Sequence, residues 1–253
     1  MEKNKSITIE KTFNLAVKNH QEGKTDIAQE LYNQVLKIDP NHSQSLNNIA
    51  IIFTNLKDYQ KAINTYEKAI AIDSNYTDAH SNLGIIFKEL GEIEKAKSCF
   101  EKAIEISPNH LSAHNSLGII FKELKDYQKA IRCYEKAIAI NPNYANAHYN
   151  LGVTYQDLGE NQKAIGCYEK TIAINPNYAN AYYNFGNIFK ELKDYQKAKN
   201  CYEKVLKIDP LNKKSMVEYG NILLLLNDKF KGYEYIQKGQ GVIKFTPSYS
   251  KII

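Results

Sequence analysis

The sequence predicts an all-α solenoid of stacked helix pairs, and three observations predict it. Prolines fall at Pro40, Pro108, Pro142, Pro176 and Pro210, all on one 34-residue grid, with Ser74 in the single gap. Between them, each block carries two stretches with apolar residues at three- and four-residue spacing, the period of an amphipathic helix. Small residues recur at one place in each stretch: Ala50, Gly84, Gly118, Gly152, Gly186 and Gly220 in the first, and Ala28, Ala62, Ala96, Ala130, Ala164 and Ala198 in the second. A fixed period of this length marks stacked supersecondary units. Each layer touches only its neighbours, so 253 residues need no single large core.

Residues 1–8 read as a polar lead-in. From Ile9 the grid gives six full units, 9–42, 43–76, 77–110, 111–144, 145–178 and 179–212. A degenerate capping unit, 213–241, and a tail, 242–253, follow. No linker or composition break separates the units, so 9–241 is one domain. In the unit 145–178, Ala147, Leu151, Val153, Thr154, Tyr155 and Leu158 mark one face of a first helix. Gly159 ends it, since glycine tolerates the left-handed cap conformation. Glu160 opens the second helix, where a carboxylate suits the exposed amides and the dipole. Ala164, Tyr168, Thr171, Ile172 and Ile174 form its buried stripe, and Asn175-Pro176-Asn177 stops it, because proline cannot continue a helix.

A glycine inside a helix costs about 0.8–1.0 kcal/mol relative to alanine. Its recurrence in the first helix is expected where two helices cross closely, with the second-helix alanine opposite. Phe53, Phe87, Phe121, Tyr155 and Phe189 from first helices, and Tyr32, Tyr66, Phe100, Tyr134, Tyr168 and Tyr202 from second helices, read as core around that crossing. In the last unit Gly232 stands in the alanine's place and Gly239-Gln240-Gly241 ends the helix. The tail contains Val242-Ile243-Lys244-Phe245 and is expected to run extended along the last helix pair, or to couple to another protein.

Composition narrows the function classes. The net charge is +5, and the lysines recur in pairs such as Glu67-Lys68, Glu101-Lys102 and Glu135-Lys136. That pattern is solvated helix surface, not the one-sided basic stripe of a nucleic-acid binder. The N-terminus lacks the apolar core of a signal peptide. The longest apolar run, Ile222 to Leu226, is far too short to span a membrane. A soluble, cytoplasmic protein with no nucleic-acid or membrane partner is expected.

Catalysis needs groups within hydrogen-bond reach of one reacting atom. His80, His114 and His148 repeat one per layer, so the stacking spreads them apart. Cys99, Cys133, Cys167 and Cys201 do the same. Equivalent positions in adjacent layers lie about 8–10 Å apart, beyond the roughly 7 Å that a disulfide bridges. These cysteines read as small hydrophobes. No catalytic, metal-binding or cofactor-binding residue is assigned, and the chain is read as a non-enzyme.

The spacing of these residues carries a family resemblance. Leu117-Gly118, Phe121, Ala130, Tyr134, Ala137 and Pro142 in the fourth unit resemble the tetratricopeptide repeat, over roughly residues 9–212. The family's early bulky residue is replaced by His80, His114, His148 and Tyr182. The resemblance implies a right-handed superhelix of six full repeats plus the cap, with first helices lining a concave groove.

One polar row lies on those first helices. Asn14, Asn48, Asn82, Asn150 and Asn184 share a position, with Ser116 in the fourth unit and Glu218 in the seventh. Asparagine is a poor helix former, and its amide both donates and accepts. Two readings stand: a row gripping the backbone of an extended peptide, or polar residues satisfying contacts between helices. The row resembles the asparagine ladder in the superhelix of O-linked N-acetylglucosamine transferase, whose catalytic domain has no counterpart here. The adjoining position holds Asn47, Ser81, Asn115, Tyr149 and Tyr183, and a turn further on stand Ile51, Ile85, Ile119 and Val153. Cochaperones that grip a C-terminal carboxylate resemble each other in basic groove residues, whereas Phe13, Val17, Ser81 and Ile85 stand here. The expected function is a scaffold binding an extended peptide or partner helix. An accessory module of a protein-modifying enzyme, such as a glycosyltransferase, and a self-associating homo-oligomeric array are the alternatives.

Overall fold

The computed structural model describes residues 2–241, with side chains from residue 5 onward; the tail and its expected course lie outside the described residues. Among the described residues there are fourteen α-helices and no strands. The first helices are α1 (Glu2–Gln21), α3 (Ser43–Asn55), α5 (Thr77–Glu89), α7 (Leu111–Glu123), α9 (Ala145–Asp157), α11 (Ala179–Glu191) and α13 (Lys213–Leu225). Each packs on the helix that follows it: α2 (Thr25–Ile38), α4 (Tyr59–Ile72), α6 (Ile93–Ile106), α8 (Tyr127–Ile140), α10 (Asn161–Ile174), α12 (Tyr195–Ile208) and α14 (Lys229–Gln240). The chain divides into two compact units after Ile140. In the first, α2 packs on α3, α4 on α5 and α6 on α7, and α3, α5 and α7 touch in turn. In the second, α10 packs on α11 and α12 on α13.

The expected lead-in is helical: α1 starts at Glu2 and runs 20 residues, where α3 runs 13. The turn that halts the chain before each later first helix, with proline or once Ser74, has no counterpart in residues 2–8, so nothing breaks the helix there. The turns inside each layer also differ from expectation. Gly159 is left-handed as predicted and Gly23 and Gly91 are too, but Lys57, Lys125, Lys193 and Asn227 take the same conformation, with φ of 60–68°. A lysine there costs about 1–2 kcal/mol, so tertiary packing holds the turn wherever glycine is absent.

The second-helix aromatic row is the core. Tyr32, Tyr66, Phe100, Tyr134, Tyr168 and Tyr202 are each at most 1% exposed. The recurrent first-helix glycines lie against these rings. A Cβ built on Gly84, Gly118, Gly152 or Gly186 would stand 2.6–2.9 Å from a carbon of Phe100, Tyr134, Tyr168 or Tyr202 respectively. Backbone lies flat on ring, which is why a side chain is left out. The last pair is closer still: a Cβ on Gly220 would meet the Gly232 carbonyl oxygen at 2.6 Å. A Cβ on Gly232 would stand 2.6 Å from Leu224 Cδ2 and 3.0 Å from the Gly220 carbonyl oxygen, which explains glycine in the alanine's place.

The turn between helices is stapled from outside. Asp58, Asp126 and Asp194 accept a hydrogen bond from the amide of Lys61, Lys129 and Lys197. Glu92 and Glu160 sit at the same cap position without that bond. In all five layers the carboxylate pairs with the lysine ammonium. The same ammonium lies 5.1–5.6 Å from the centroid of Phe53, Phe87, Phe121, Tyr155 or Phe189, a cation–π contact.

Histidines secure the turns between layers. His80, His114 and His148 each donate from Nε2 to the carbonyl six residues back, at 3.0, 2.9 and 3.0 Å. His42 instead caps α3, its Nδ1 accepting from the Ser45 amide at 3.2 Å, beside the Phe13 ring. That cap needs an unprotonated Nδ1. Burial holds the His42 pKa below the ordinary imidazole value, against the opposing charge of Asp39, and burial lowers His20 as well. Between the lowered native pKa and the unfolded value of about 6.5, the unfolded chain binds more protons. Stability from these groups is therefore complete above about pH 6.5 and is lost as pH falls towards the native pKa. We expect the urea midpoint to drop between about pH 7.5 and pH 5.5. His42→Asn keeps a good N-cap and should flatten that slope; an unchanged slope would remove His42 from the account.

Candidate functional site: the polar face of the first helices

The asparagine row is in place, and each member has a definite setting. Asn14 is exposed on α1, whereas Asn48, Asn82, Asn150 and Asn184 are half-buried. Asn48 donates from Nδ2 to the Tyr32 hydroxyl at 3.1 Å. Burial pushes the Tyr66 phenol up to about 12, against the pull of hydrogen bonds with Thr54 and Asn82. Tyr168 is raised by burial too, is hydrogen-bonded with Asn184, and donates to Gln156 Oε1 at 2.8 Å. The layer whose ring is Phe100 has no hydroxyl to satisfy, and the next first helix carries Ser116 instead of asparagine. Asn48, Asn82 and Asn184 thus meet the phenols of the preceding layer, which a buried hydroxyl requires.

The adjoining column differs from expectation. Asn47 and Asn115 were expected along the groove wall, but they are 4% and 7% exposed, and Ser81 is 2%. Small polar residues here are closed over by neighbouring helices. Asn47 donates to Asn48 Oδ1 at 3.2 Å and accepts from Asn82 Nδ2 at 3.4 Å. Tyr149 and Tyr183, too large to be enclosed, remain half-buried. The Tyr149 hydroxyl accepts from Asn184 Nδ2 at 3.1 Å, and its ring lies 4.9 Å from that of Tyr178. Burial raises the Tyr149 phenol. The two columns therefore interlock through residues 35 apart. Ile85 is exposed, and Ile51, Ile119 and Val153 are half-buried.

Three polar groups on this face escaped the sequence reading. Asn187 stands in the column of Ile51, Ile85, Ile119 and Val153, where its Oδ1 accepts from the Tyr202 hydroxyl at 2.8 Å. Gln156 serves Tyr168, and Lys190 on α11 pairs with Glu218 on α13 at 2.8 Å. The break in an apolar column at Asn187 was the one signal available.

Elsewhere, burial raises the Cys99 and Cys133 thiols to about 11 and Cys201 to about 12. A thiol raised this way carries little thiolate near neutral pH. Two clefts of about 430 and 440 Å³ occupy the same place three layers apart, floored by Cys99 and Cys201, and neither is lined by a residue of the asparagine row. Among the described residues no cluster of His, Cys, Asp and Glu could hold a metal ion, and no helix is long and apolar enough to cross a membrane.

Models described as tetratricopeptide repeat match residues 13–42, 31–64, 77–110, 99–132 and 143–210, and one described as TPR repeat matches 50–91 and 119–159. Together they run without a gap over residues 13–210. No curated protein matches. Among solved structures, MamA is 30% identical over 64% of this chain and 95% of its own, with a TM-score of 0.58. A tetratricopeptide repeat protein from Parabacteroides merdae ATCC 43184 is 18% identical over 94% of both chains, TM-score 0.69. YrrB, described as a TPR protein with an unusual peptide-binding site, is 20% identical over 78% of this chain and 97% of its own, TM-score 0.58.

Proposed function

The chain belongs to the tetratricopeptide-repeat family, and on that premise we propose that it is a non-catalytic interaction scaffold whose first-helix face holds an extended peptide. The observation that carries this reading is the row of carboxamides set by the phenols beneath it. Each carboxamide offers four hydrogen-bonding positions, and its tyrosine partner uses only part of them. A rotamer already held in place lowers the entropy cost of gripping a peptide backbone. Between the amides lie Ile51, Ile85, Ile119, Val153, Tyr149 and Tyr183, which suit apolar side chains. The described peptide-binding site of YrrB lends support at the level of fold. Phe13, Val17, Ser81 and Ile85 stand where a carboxylate clamp would need cations, so the ligand is an internal segment and not a chain end.

The test is a phage-displayed peptide library selected on the full chain, followed by affinities for the wild type and for Asn82→Ala with Asn184→Ala. A loss of at least about tenfold, or 1.4 kcal/mol, is expected. Alanine leaves the Tyr66 and Tyr168 phenols short of a partner, so a second variant adds Tyr66→Phe and Tyr168→Phe to restore the fold. Selected peptides that bind all three proteins equally would overturn the reading.

A further inference from the structure

The last helix pair abandons the outer staple that the five layers before it share. Leu223 takes the place of Phe53, Phe87, Phe121, Tyr155 and Phe189 and is turned into the core, 2% exposed. Lys231 keeps its place after Asp228, which still accepts from the Lys231 amide. With no ring to lie on, its ammonium forms no ion pair among the described residues, whereas Lys61, Lys95, Lys129, Lys163 and Lys197 all do.

At two positions of the same turn an apolar residue stands where every other layer is polar. Phe230 replaces Asp26, Gln60, Glu94, Gln128, Gln162 and Gln196 and is 79% exposed. Leu225 stands where every other layer has Asn, Gln, Asp or Glu, and it is 56% exposed. Tyr233, one turn beyond Phe230 on α14, is 59% exposed. Lone exposed hydrophobes need no explanation, but several at one turn, with a lysine that forms no ion pair among the described residues, point to an interaction surface. The opposite end of α14 changes the other way: Gln240 stands where Ile172 and Leu206 pack against the following first helix. Further stacking is therefore disfavoured along the rest of the helix, and the apolar change is confined to the turn.

We propose that the α13–α14 turn is a docking surface for a short acidic segment of a partner protein, one carrying large apolar side chains beside its carboxylates. Such a segment rebuilds there what the earlier layers complete internally: a carboxylate on the lysine and an apolar body against it. Lys229, exposed on the same first turn, adds a second positive charge. Two lysines fall well short of the roughly four to eight basic residues that hold a protein on anionic lipid, so a peptide is favoured over a membrane. This surface is separate from the first-helix face and does not depend on the function proposed for that face.

The experiment uses the full chain and a fluorescein-labelled fourteen-residue peptide built of Phe, Leu and Glu, with a twin carrying Lys for every Glu. Saturable anisotropy change is expected for the acidic peptide, with at least tenfold weaker binding for the twin, and for Phe230→Gln and Lys231→Gln against the acidic peptide. Phe230→Gln restores the residue of other layers, so its helicity by circular dichroism should match the wild type. Asn82→Ala with Asn184→Ala should leave this binding intact. Equal binding of both peptides, no saturable binding, or full affinity in Phe230→Gln overturns the proposal. Retention on phosphatidylserine vesicles in place of peptide binding, or a concentration-dependent mass abolished by Phe230→Gln, also overturns it, by assigning the surface to lipid or to a second copy.

Discussion

Phe100→Ala is expected to remove about 3–5 kcal/mol of stability, the range for deleting a buried aromatic ring. The ring is fully buried, and three of its carbons lie 2.9–3.1 Å from where a Gly84 Cβ would stand. Glycine has no side chain to move into the space left behind, so the cavity stays open and its full cost is felt. Each layer in a solenoid contacts only its neighbours, and a void here loosens α5 from α6. Urea unfolding followed by circular dichroism should show a lower midpoint, with a shallower transition if the array splits into separately melting parts. A loss below about 1 kcal/mol would mean that the aromatic row is not what holds the layers together.

The second large effect is opposite in sign at two glycines, both inside helices. Gly118→Val places a branched side chain where a Cβ alone would already be 2.6 Å from Tyr134 Cε1, and that ring is fully buried. Overpacking of this kind costs typically 1–3 kcal/mol and sometimes more, and we expect about 3 kcal/mol. Gly166, mid-way along α10, has nothing within 4 Å of its would-be Cβ. Gly166→Ala should therefore gain about 1 kcal/mol from helix propensity alone. The second layer carries Ala50 at the crowded position, so a single methyl is accommodated there, and Gly118→Ala should fall between the two. A valine variant as stable as the wild type would show that the ring-on-backbone contact is loose.

These glycines also show how far the sequence could be read. Their recurrence announced a close contact, but not with what. Alanine on the facing helix was the natural candidate by register, and the structure adds that the atoms nearest Gly84, Gly118, Gly152 and Gly186 are those of the aromatic ring. Likewise the asparagine row was visible as a row, while its two readings could not be separated. The pairing of Tyr32 with Asn48, and the matched absence of both groups at Phe100 and Ser116, favours satisfaction of buried hydroxyls as one role of the row. It also supplies the geometry on which the peptide reading rests.

Layer length, helix positions and the identity of the core stripe were determined by the sequence alone, because helical periodicity and proline punctuation act over a few residues. The partners of polar groups were decided only by the tertiary structure. Asn82 meets Asn47, and Asn184 meets Tyr149, across 35 residues of chain; Asn47 and Asn115 are enclosed while Tyr149 is not. Such contacts depend on how far one layer turns relative to the next and on the bulk of each side chain. A pattern of residue types carries neither quantity.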